Sequence, residues 1–168
     1  MIIIVEGIDR VGKTTLCKKL ADVTGYKIFR DDTRYFGNYG NAYINTEKIN
    51  TLQCLIDNGI VNDIILDRYH FTEFVYGAYD RGYANETMHD IDERLSNRKD
   101  VILLYVKPTD IMRSSTEHGR NLKRHNTLMK KLFIISKIGL KLDLCYNEID
   151  DAVDVVSKII GGVRNEKE

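Results

Sequence analysis

Residues 2–15, which read IIIVEGIDRVGKTT, constrain the fold more than any other stretch of this sequence. Four β-favouring apolar residues run into the spacing G-x-x-x-x-G-K-[ST], with Gly7, Gly12, Lys13 and Thr14 at its fixed positions. Glycines let the backbone turn tightly and aim its N–H groups at phosphate oxygens, at the positive end of the helix that follows. Lysine adds a mobile positive charge for the β- and γ-phosphates, and the hydroxyl can ligand Mg²⁺. The stretch therefore predicts a phosphate-binding loop between a buried strand and a helix.

Length and composition point to one intracellular domain. The chain has 168 residues, 43% of them hydrophobic, which is enough for one well-buried domain and too few for two ordinary ones. Lys plus Arg and Asp plus Glu are equal at 25 each, so no whole-molecule basic field favours nucleic acid. Cys17, Cys54 and Cys145 are widely spaced in apolar stretches, as reduced thiols of a cytosolic protein are. Because the apolar run before Glu6 is too short for a signal peptide or a membrane span, we expect a cytoplasmic protein that binds no membrane.

Apolar runs of strand length alternate with helical patterns along the chain. This alternation is typical of βαβ units, so we expect an α/β fold with a five-stranded parallel sheet and helices on both faces. Gly25 is expected to end the first helix as a C-terminal cap, and Pro108 interrupts the chain after the fourth strand. The predicted strands are residues 2–5, 26–29, 63–66, 101–106 and 141–145, and the predicted helices are residues 13–23, 46–58, 71–79, 86–97, 126–137 and 149–160.

A second motif follows the third predicted strand, in ILDRYHFTEFVY at residues 65–76. Ligands of a doubly wound sheet bind beyond the carboxyl ends of its strands, and both the phosphate loop and the pair Asp67 and Arg68 fall there. An Asp at that position can hold Mg²⁺ through water, and an Arg can clamp an acceptor phosphate with its planar fork. The structural alternative is an Asp–Arg pair that caps the helix beginning near Thr72.

Two of these segments, EGIDRVGKTT and LDRYHFTEFVY, resemble the thymidylate kinase family. The second segment is similar to the family's D-R-Y-x-x-S-x-x-A-Y, with Thr72 for Ser and Val75 for Ala. The resemblance implies a P-loop kinase that uses ATP and Mg²⁺ to phosphorylate a pyrimidine deoxynucleotide, dTMP to dTDP. It also implies a homodimer, in which residues 46–58 and 71–79 lie either at the interface or in the core.

The resemblance also gives each motif residue a role by position. Asp9 is implied near the acceptor phosphate or sugar, and Arg10 near the transferring phosphoryl group. Arg68 is implied on the acceptor phosphate, and Tyr76 near the acceptor's sugar or base. The predicted ATP-binding residues are Gly7, Ile8, Asp9, Arg10, Val11, Gly12, Lys13, Thr14 and Thr15, and the predicted Mg²⁺ ligands are Thr14 and Asp67. The predicted catalytic residues are Lys13, Arg10, Asp67, Arg68, Arg120 and Arg124, to which Asp31 is added for a reason given below that the resemblance does not supply. The predicted acceptor-binding residues are Asp9, Arg68, Tyr69, Thr72 and Tyr76.

A basic segment after the fourth predicted strand, MRSSTEHGRNLKRHN, occupies residues 112–126. Its HGRNLKR resembles the family's R-G-R-x-x-R lid pattern, which aligns Arg120 and Arg124 with the arginines of that lid. Arginines that close over phosphates suit phosphoryl transfer, because charge spreads over the equatorial oxygens. We therefore expect an arginine-bearing lid at about residues 112–125 of a single kinase domain, residues 1–168, with a solvated basic loop as the alternative.

Two departures from the family pattern leave the acceptor open. No arginine lies between Glu47 and Asp67, where the family carries an arginine-bearing helix that anchors thymine. The second strand runs into Arg30, Asp31 and Asp32 instead of the family's Arg-Glu-Pro turn. A monophosphate acceptor is already an anionic nucleophile, whereas a hydroxyl acceptor benefits from a carboxylate that takes its proton. Asp31 or Asp32 is therefore either a general base for a hydroxyl acceptor or the cap of a turn.

The alternative acceptors are a deoxynucleoside and a hydroxymethylated pyrimidine within DNA, because DRYHFTEFVYG also resembles phage-type relatives of the family. A DNA acceptor would need an open basic groove with aromatic platforms. Aromatic residues in the loop after the second strand would supply platforms, while the zero net charge argues against DNA. A third hypothesis, from another class, is a nucleotide-binding regulatory protein without kinase activity.

Overall fold

The computed structural model of the chain describes residues 1–30, 42–80, 87–109 and 117–165. Strands and helices alternate along these residues, as the sequence predicts, and no helix among them combines the length and apolar character needed to cross a membrane. The strands are β1 (Ile2–Glu6), β2 (Lys27–Arg30), β3 (Ile64–Asp67), β4 (Val101–Lys107) and β5 (Leu140–Cys145). The helices are α1 (Lys13–Thr24), α2 (Ala42–Asp57), α3 (His70–Asp80), α4 (Thr87–Ser96), α5 (Glu117–Ile135) and α6 (Ile149–Asn165), with a 3₁₀ turn at Tyr146–Glu148.

The five strands form one parallel sheet in the order β2-β3-β1-β4-β5. β1 is the central strand, and its Ile3 pairs with Ile65 on one side and with Ile102 on the other. All of β1 is buried, as expected of a parallel strand whose two faces are both covered by helices. The predicted α/β fold with a five-stranded parallel sheet is confirmed.

Helix α1 places the end of the phosphate loop, and glycines mark both of its ends. Leu16 and Leu20 lie one turn apart and are buried, so this face of the helix packs on the sheet. Gly12 precedes the helix in the left-handed conformation. Gly25 follows it in the same conformation and donates its N–H to the carbonyl oxygen of Ala21 at 2.9 Å. The predicted C-terminal cap at Gly25 is therefore confirmed.

The largest difference from the predicted boundaries is the start of α5. The helix begins at Glu117, whereas the sequence predicted a start at Asn126 and gave the residues before it to the lid. Leu122 and His125 are buried on the same face, and Met129 continues that face one turn later. The basic residues between them obscured this apolar face. The lid itself stays a prediction, because residues 110–116 lie outside the described part of the chain.

Helix α3 is an interior helix of the chain. Its Phe71 and Val75 are fully or almost fully buried, and α2, α4 and α5 pack around it. Of the two expected positions for residues 71–79, the dimer interface and the core, the structure therefore agrees with the core. The homodimer stays a prediction.

Candidate active site

The phosphate loop connects the end of β1 to the first turn of α1, and two of its positions accept only glycine. Gly7 has a φ of +146°, and a Cβ atom on it would lie 2.5 Å from the carbonyl oxygen of Val106. Gly12 has a φ of +100°, and a Cβ atom on it would lie 2.4 Å from a ring carbon of Tyr146. L side chains rarely adopt either conformation, so the loop depends on glycine for its backbone and for its close contacts. The predicted arrangement of strand, loop and helix is present.

Lys13 is the buried cation of this loop. Only 4% of its surface is exposed, and its Nζ donates a hydrogen bond to the carbonyl oxygen of Ile8. Burial and, after it, the nearby guanidinium of Arg68 lower the pKa of Lys13 to about 8, although three carboxylates oppose the shift. A buried cation with a lowered pKa is strongly stabilised by a nearby anion, and a bound phosphate group would be such an anion.

Thr14 and Asp67, the two predicted Mg²⁺ ligands, are in contact. Thr14 Oγ1 donates a hydrogen bond to Asp67 Oδ2 at 3.1 Å. The Asp67 carboxylate is buried, and its Oδ1 has no hydrogen-bond partner among the described residues. A buried carboxylate oxygen without a partner is costly unless water or a cation binds it. Arg30, at the end of β2, brings its Nε to 3.7 Å from Asp67 Oδ2.

Asp9, Arg68 and Tyr76 form a cluster at the edge of the loop. Arg68 Nη2 donates to Asp9 Oδ1, and the guanidinium carbon lies 5.7 Å from the centroid of the Tyr76 ring. Burial alone would lower the pKa of Arg68, but the carboxylate of Asp9 raises it above its usual range. Burial and then the same carboxylate raise the pKa of Tyr76 to about 12. The cluster therefore presents a permanent cation beside a neutral phenol.

Six residues of this region line an open cavity of about 290 Å³. Its position beyond the carboxyl ends of β1 and β3 is the expected ligand site of such a sheet. Basic side chains outnumber acidic ones in its lining, which suits phosphate groups. Residues predicted for ATP and residues predicted for the acceptor therefore share one cavity. The lining residues are Asp9, Arg10, Lys13, Thr14, Arg30 and Arg68.

Tyr69 and Thr72, which the resemblance assigned to the acceptor, do not line that cavity. The hydroxyl of Tyr69 donates to Gln53 Oε1 on α2 at 3.0 Å. The hydroxyl of Thr72 donates to Glu6 Oε2 at the end of β1. Both hydroxyl groups thus hold elements of the fold together, and a substrate role for them stays a prediction.

The other predicted site residues are buried, exposed or outside the part of the chain that the structure describes. Ile8 and Val11 are buried loop residues, and Thr15 is exposed on α1. The lid arginines are both on α5, where Arg124 is exposed and the side chain of Arg120 lies outside the described part. Asp31 lies in residues 31–41, which are also outside it.

The cap of α3 is Glu6, not the pair of Asp67 and Arg68. Glu6 Oε1 accepts hydrogen bonds from the backbone N–H groups of Tyr69 and Phe71, each at 3.0 Å. Asp67 and Arg68 instead direct their side chains to the cavity region, where Thr14 and Asp9 meet them. The structural alternative for the second motif is therefore wrong.

The sequence motifs predict no role in phosphate binding or phosphoryl transfer for three residues of this region, Glu6, Arg30 and Tyr146. Each lies at the carboxyl end of a parallel strand or directly after it. Arg30 pairs in register with Asp67, and the half-exposed ring of Tyr146 packs on Gly12 of the loop. The signal that would have found them is their position, because the carboxyl ends of all parallel strands meet at one edge of the sheet.

The chain is similar in sequence or in fold to several known proteins. None of the models of known protein families matches the sequence. The chain is 33% identical, over an alignment of 138 residues, to a protein of Picrophilus torridus named "Probable thymidylate kinase", with 75% of this chain and 67% of that protein covered.

The structure of the YorR protein from Bacillus subtilis, in complex with phosphorylated GDP, matches with a TM-score of 0.71, 18% identity and 98% coverage of both chains. The thymidylate kinase of Candida albicans matches with a TM-score of 0.59 and 19% identity, over 98% of this chain and 92% of that one. A deoxyadenosine kinase from M. mycoides matches with a TM-score of 0.54 and 12% identity, over 97% of this chain and all of that one, 100%.

The sheet order, the phosphate loop and these structural likenesses define the fold of the P-loop nucleotide and nucleoside kinases. Identity to the Picrophilus protein takes the assignment one step further: the chain belongs to the thymidylate kinase family. It is therefore an ATP-dependent nucleotide or nucleoside kinase, and the hypothesis of a regulatory protein without kinase activity loses its support.

Proposed function

We propose that the chain transfers the γ-phosphoryl group of ATP to a pyrimidine deoxynucleotide, converting dTMP to dTDP. The observation that supports this most is the pair of Asp9 and Arg68, which lines the same cavity as Lys13 of the phosphate loop. Phosphoryl transfer depends mainly on positioning and on charge neutralisation. The cavity offers both, because a cation for the acceptor phosphate lies next to the loop for the phosphates of ATP. The name of the Picrophilus relative agrees with dTMP as the acceptor.

The donor and acceptor sides divide the cavity between them. On the donor side, backbone N–H groups of residues 7–15 bind the phosphates of ATP, and Lys13 and Arg10 neutralise charge on the γ-phosphoryl group. On the acceptor side, Arg68 binds the acceptor phosphate and Asp9 orients it. Arg30 is a second cation for that phosphate, since β2 and β3 are neighbours and both arginines line the cavity.

The ring of Tyr76 lies beside the acceptor's sugar or base, next to the guanidinium of Arg68. Arg120 and Arg124 belong to a lid at about residues 112–125, which closes over the phosphates and excludes water. A lid that follows the fourth strand of a single domain is consistent with the exposed position of Arg124 on α5.

The donor set at Thr14 and Asp67 fits Mg²⁺. This ion takes hard oxygen ligands and keeps several of its waters. The Thr14 hydroxyl is 3.1 Å from one oxygen of the carboxylate, and the other oxygen is buried without a hydrogen-bond partner in the described residues. Thr14 would hold the ion directly and Asp67 would hold it through water. When bound, Mg²⁺ would neutralise charge on the β- and γ-phosphates.

A transfer assay with γ-labelled ATP and Mg²⁺ tests this proposal. The acceptors are dTMP, other nucleoside monophosphates, deoxynucleosides, and DNA that contains thymine or hydroxymethyluracil. We expect label on dTMP. Label only on a deoxynucleoside or on DNA would overturn the monophosphate acceptor and would make Asp31 or Asp32 the candidate general base. In that case Asp31→Asn or Asp32→Asn should lower the rate by well over about tenfold.

Two lysines of α1 give a matched pair of variants for the same assay. Lys13→Ala should abolish transfer while the circular dichroism spectrum stays that of the wild type, because the side chain serves the phosphates. Lys18→Ala removes an exposed lysine of the same helix and should leave transfer unchanged. Transfer by Lys13→Ala at the rate of Lys18→Ala would refute the donor-side assignment.

A further inference from the structure

Glu6 is a buried carboxylate between the end of β1 and the start of α3, and the proposed chemistry gives it no part. It is the last residue of β1, the central strand, and its side chain has no exposed surface. The next residue, Gly7, begins the phosphate loop. A charged group is left in the core of a sheet only where several donors satisfy it.

Within the described part of the chain, the donors to Glu6 belong to the start of α3. Its Oε1 accepts the backbone N–H groups of Tyr69 and Phe71 at 3.0 Å and that of Thr72 at 3.4 Å. Its Oε2 accepts the hydroxyl of Thr72. These N–H groups are at the helix start, where no carbonyl of the helix can accept them, and the helix dipole favours an anion there. Glu6 therefore caps α3 from a different element, the strand that leads into the phosphate loop.

The same contacts hold the backbone of Arg68 in an unusual conformation. Arg68 has a φ of +81°, in the left-handed region that an arginine rarely adopts. Its N–H donates to the carbonyl oxygen of Val5 at 3.0 Å, and the following N–H, of Tyr69, donates to Glu6. Two consecutive residues of β1 thus hold the turn from both sides of Arg68. In this conformation its guanidinium reaches Asp9 of the phosphate loop.

Tyr76 depends on the same cap, because it lies on α3. Its ring faces the guanidinium of Arg68, with 5.7 Å between the guanidinium carbon and the ring centroid. A shift of the start of α3 relative to β1 would therefore move Tyr76 as well as Arg68 relative to the phosphate loop.

We propose that Glu6 is a positioning residue, which sets Arg68 and Tyr76 at the distance from the phosphate loop that transfer to the acceptor requires. It lines no part of the cavity and acts through the first turn of α3. The proposal rests on the proposed function in one respect, that Arg68 binds the acceptor.

Two substitutions separate the position of the carboxylate from its charge. Glu6→Asp keeps the charge but withdraws the carboxylate by one methylene, so it no longer reaches the N–H groups of α3. Misplacement of reacting groups by about 1 Å costs up to about 100-fold, and we expect the acceptor kcat/KM to fall by about 10- to 100-fold, mostly through KM. Glu6→Gln keeps the length and one accepting oxygen, so the loss should be about fivefold or less. The KM for ATP should stay within about twofold of wild type in both variants.

Matched controls separate positioning from a general loss of stability. Asp100→Asn weakens the Arg98 to Asp100 pair, with bonds of 2.8 and 2.9 Å, at the amino end of β4, opposite the cavity. It should lower the melting temperature without changing the acceptor KM. Thr72→Val removes one of the donors to Glu6 and should raise the acceptor KM, and Thr72→Ser, which keeps the hydroxyl, should restore it.

The outcomes are distinct for this inference and for the proposed function. Kinetics are measured with whichever acceptor the wild type uses, so a wild type that ignores dTMP refutes the proposed acceptor and leaves the Glu6 comparison intact. The positioning role is overturned if the acceptor KM of Glu6→Asp equals that of the wild type. It is also overturned if Asp100→Asn raises the acceptor KM as much as Glu6→Asp does, because the increase would then follow from lost stability. A crystal structure of Glu6→Asp gives a readout that needs no turnover: we expect the Arg68 to Asp9 pair to be broken, and an unchanged pair would also overturn the inference.

Discussion

Lys13 is a buried lysine whose surroundings make its protonated form less stable than it is in water. Burial and the guanidinium of Arg68 lower its pKa to about 8 in the protein without nucleotide. A phosphate group beside its Nζ favours the protonated form, so the pKa should rise when a nucleotide binds. Because binding then takes up a proton, nucleotide affinity should fall as the pH rises above about 8.

This linkage gives the first prediction, a proton taken up with the nucleotide. At about pH 8 half of the free protein has a neutral Lys13, so ADP binding should take up about 0.5 proton, and at about pH 6 almost none. Calorimetric titrations in two buffers of different ionisation enthalpy measure this number. Lys13→Arg is the control, because a guanidinium stays protonated throughout and its variant should show no such uptake. Equal uptake in both proteins would assign the proton to another group.

Gly12 gives the second prediction, because it combines backbone strain with a close contact. Gly12→Ala adds a Cβ atom 2.4 Å from the ring of Tyr146, at a φ of +100°. The substitution should cost about 2–4 kcal/mol, from strain and overpacking together, and should weaken nucleotide binding. Gly25→Ala is the matched control, since its φ is +74° and no atom lies within 4 Å of the added Cβ. It should cost about 1–2 kcal/mol and leave nucleotide binding unchanged.

Denaturation in urea measures both free energies of unfolding. Equal losses in the two variants would mean that the Tyr146 contact carries no energy, since only the left-handed conformation is common to both sites.

At the scale of residues, the sequence predicts side chains that belong to continuous motifs. Lys13 and Thr14 line the cavity, and Thr14 donates a hydrogen bond to Asp67, as expected of motifs that both follow the carboxyl end of a parallel strand. Glu6 was not found, because its role depends on N–H groups that are more than 60 residues away in the chain. A carboxylate at the end of a strand looks the same in the sequence whether it faces a ligand or caps a distant helix.

At the scale of elements, a buried polar link connects helix α4 to the start of α3 and to the end of α5. Asp92 on α4 accepts the hydroxyl of Ser136, just after α5, at 2.7 Å and lies 3.2 Å from Nε2 of His70, the first residue of α3. Burial alone would raise the pKa of Asp92, but the hydrogen bonds from His70 and Ser136 lower it below its ordinary value. The folded state therefore favours the charged carboxylate.

The third prediction follows from the sign of that shift. A carboxyl whose pKa is lower in the folded state stabilises it above its unfolded value of 3.8, and this stability is lost as the pH falls through the folded pKa. Asp92→Asn places an amide N–H₂ group among the donors that the carboxylate accepts from in the wild type. The substitution should lower the free energy of unfolding by about 1–3 kcal/mol at neutral pH. The difference from wild type should start to shrink as the pH falls below about 4, where the unfolded carboxyl becomes protonated, and it should be smallest below the folded pKa, where the folded carboxyl is neutral too.

The exposed Asp90 on the same helix supplies the control. Asp90→Asn removes only a surface contact of 3.4 Å with Arg94 and should cost about 0.5 kcal/mol or less. Urea unfolding at neutral pH and at the lowest pH where all three proteins fold compares them. A cost for Asp92→Asn that does not depend on pH would show that the charge of Asp92 is not what stabilises the link.

Element boundaries follow from periodicity where apolar residues are frequent, and fail where charged residues dilute the pattern. The strands and α1 lie within a residue or two of their predicted ends. The first turns of α5 carry many basic residues, and their buried positions include His125, which a search for apolar side chains overlooks. A helix face that includes a buried histidine is thus a pattern that hydropathy alone cannot detect.

At the scale of the whole molecule, the sequence predicts the class of sheet but not the order of its strands. Alternating strands and helices require a parallel sheet, while several orders satisfy the same pattern. The observed order puts β1 between β3 and β4, so the phosphate loop and the Asp67 to Arg68 turn lie on adjacent strands. The cavity exists because of this adjacency, which no local signal in either motif encodes.

The fourth prediction concerns the stability of the entire domain, because the phosphate loop joins its central strand to α1. A ligand that binds only the folded state stabilises it by about 2.7 kcal/mol at 100 times its Kd. For a chain of 168 residues, each kcal/mol raises the melting temperature by about 2–4 °C, so saturating ADP should raise it by about 5–11 °C. Lys13→Ala should lose most of this shift, yet dTMP should still stabilise that variant, since Arg68 and Asp9 are intact. Loss of the ADP shift alone in Lys13→Ala would support the division into a donor side and an acceptor side. If ADP and dTMP each raise the melting temperature of the wild type but neither raises that of Lys13→Ala, the two ligands do not bind to separate sides of the cavity.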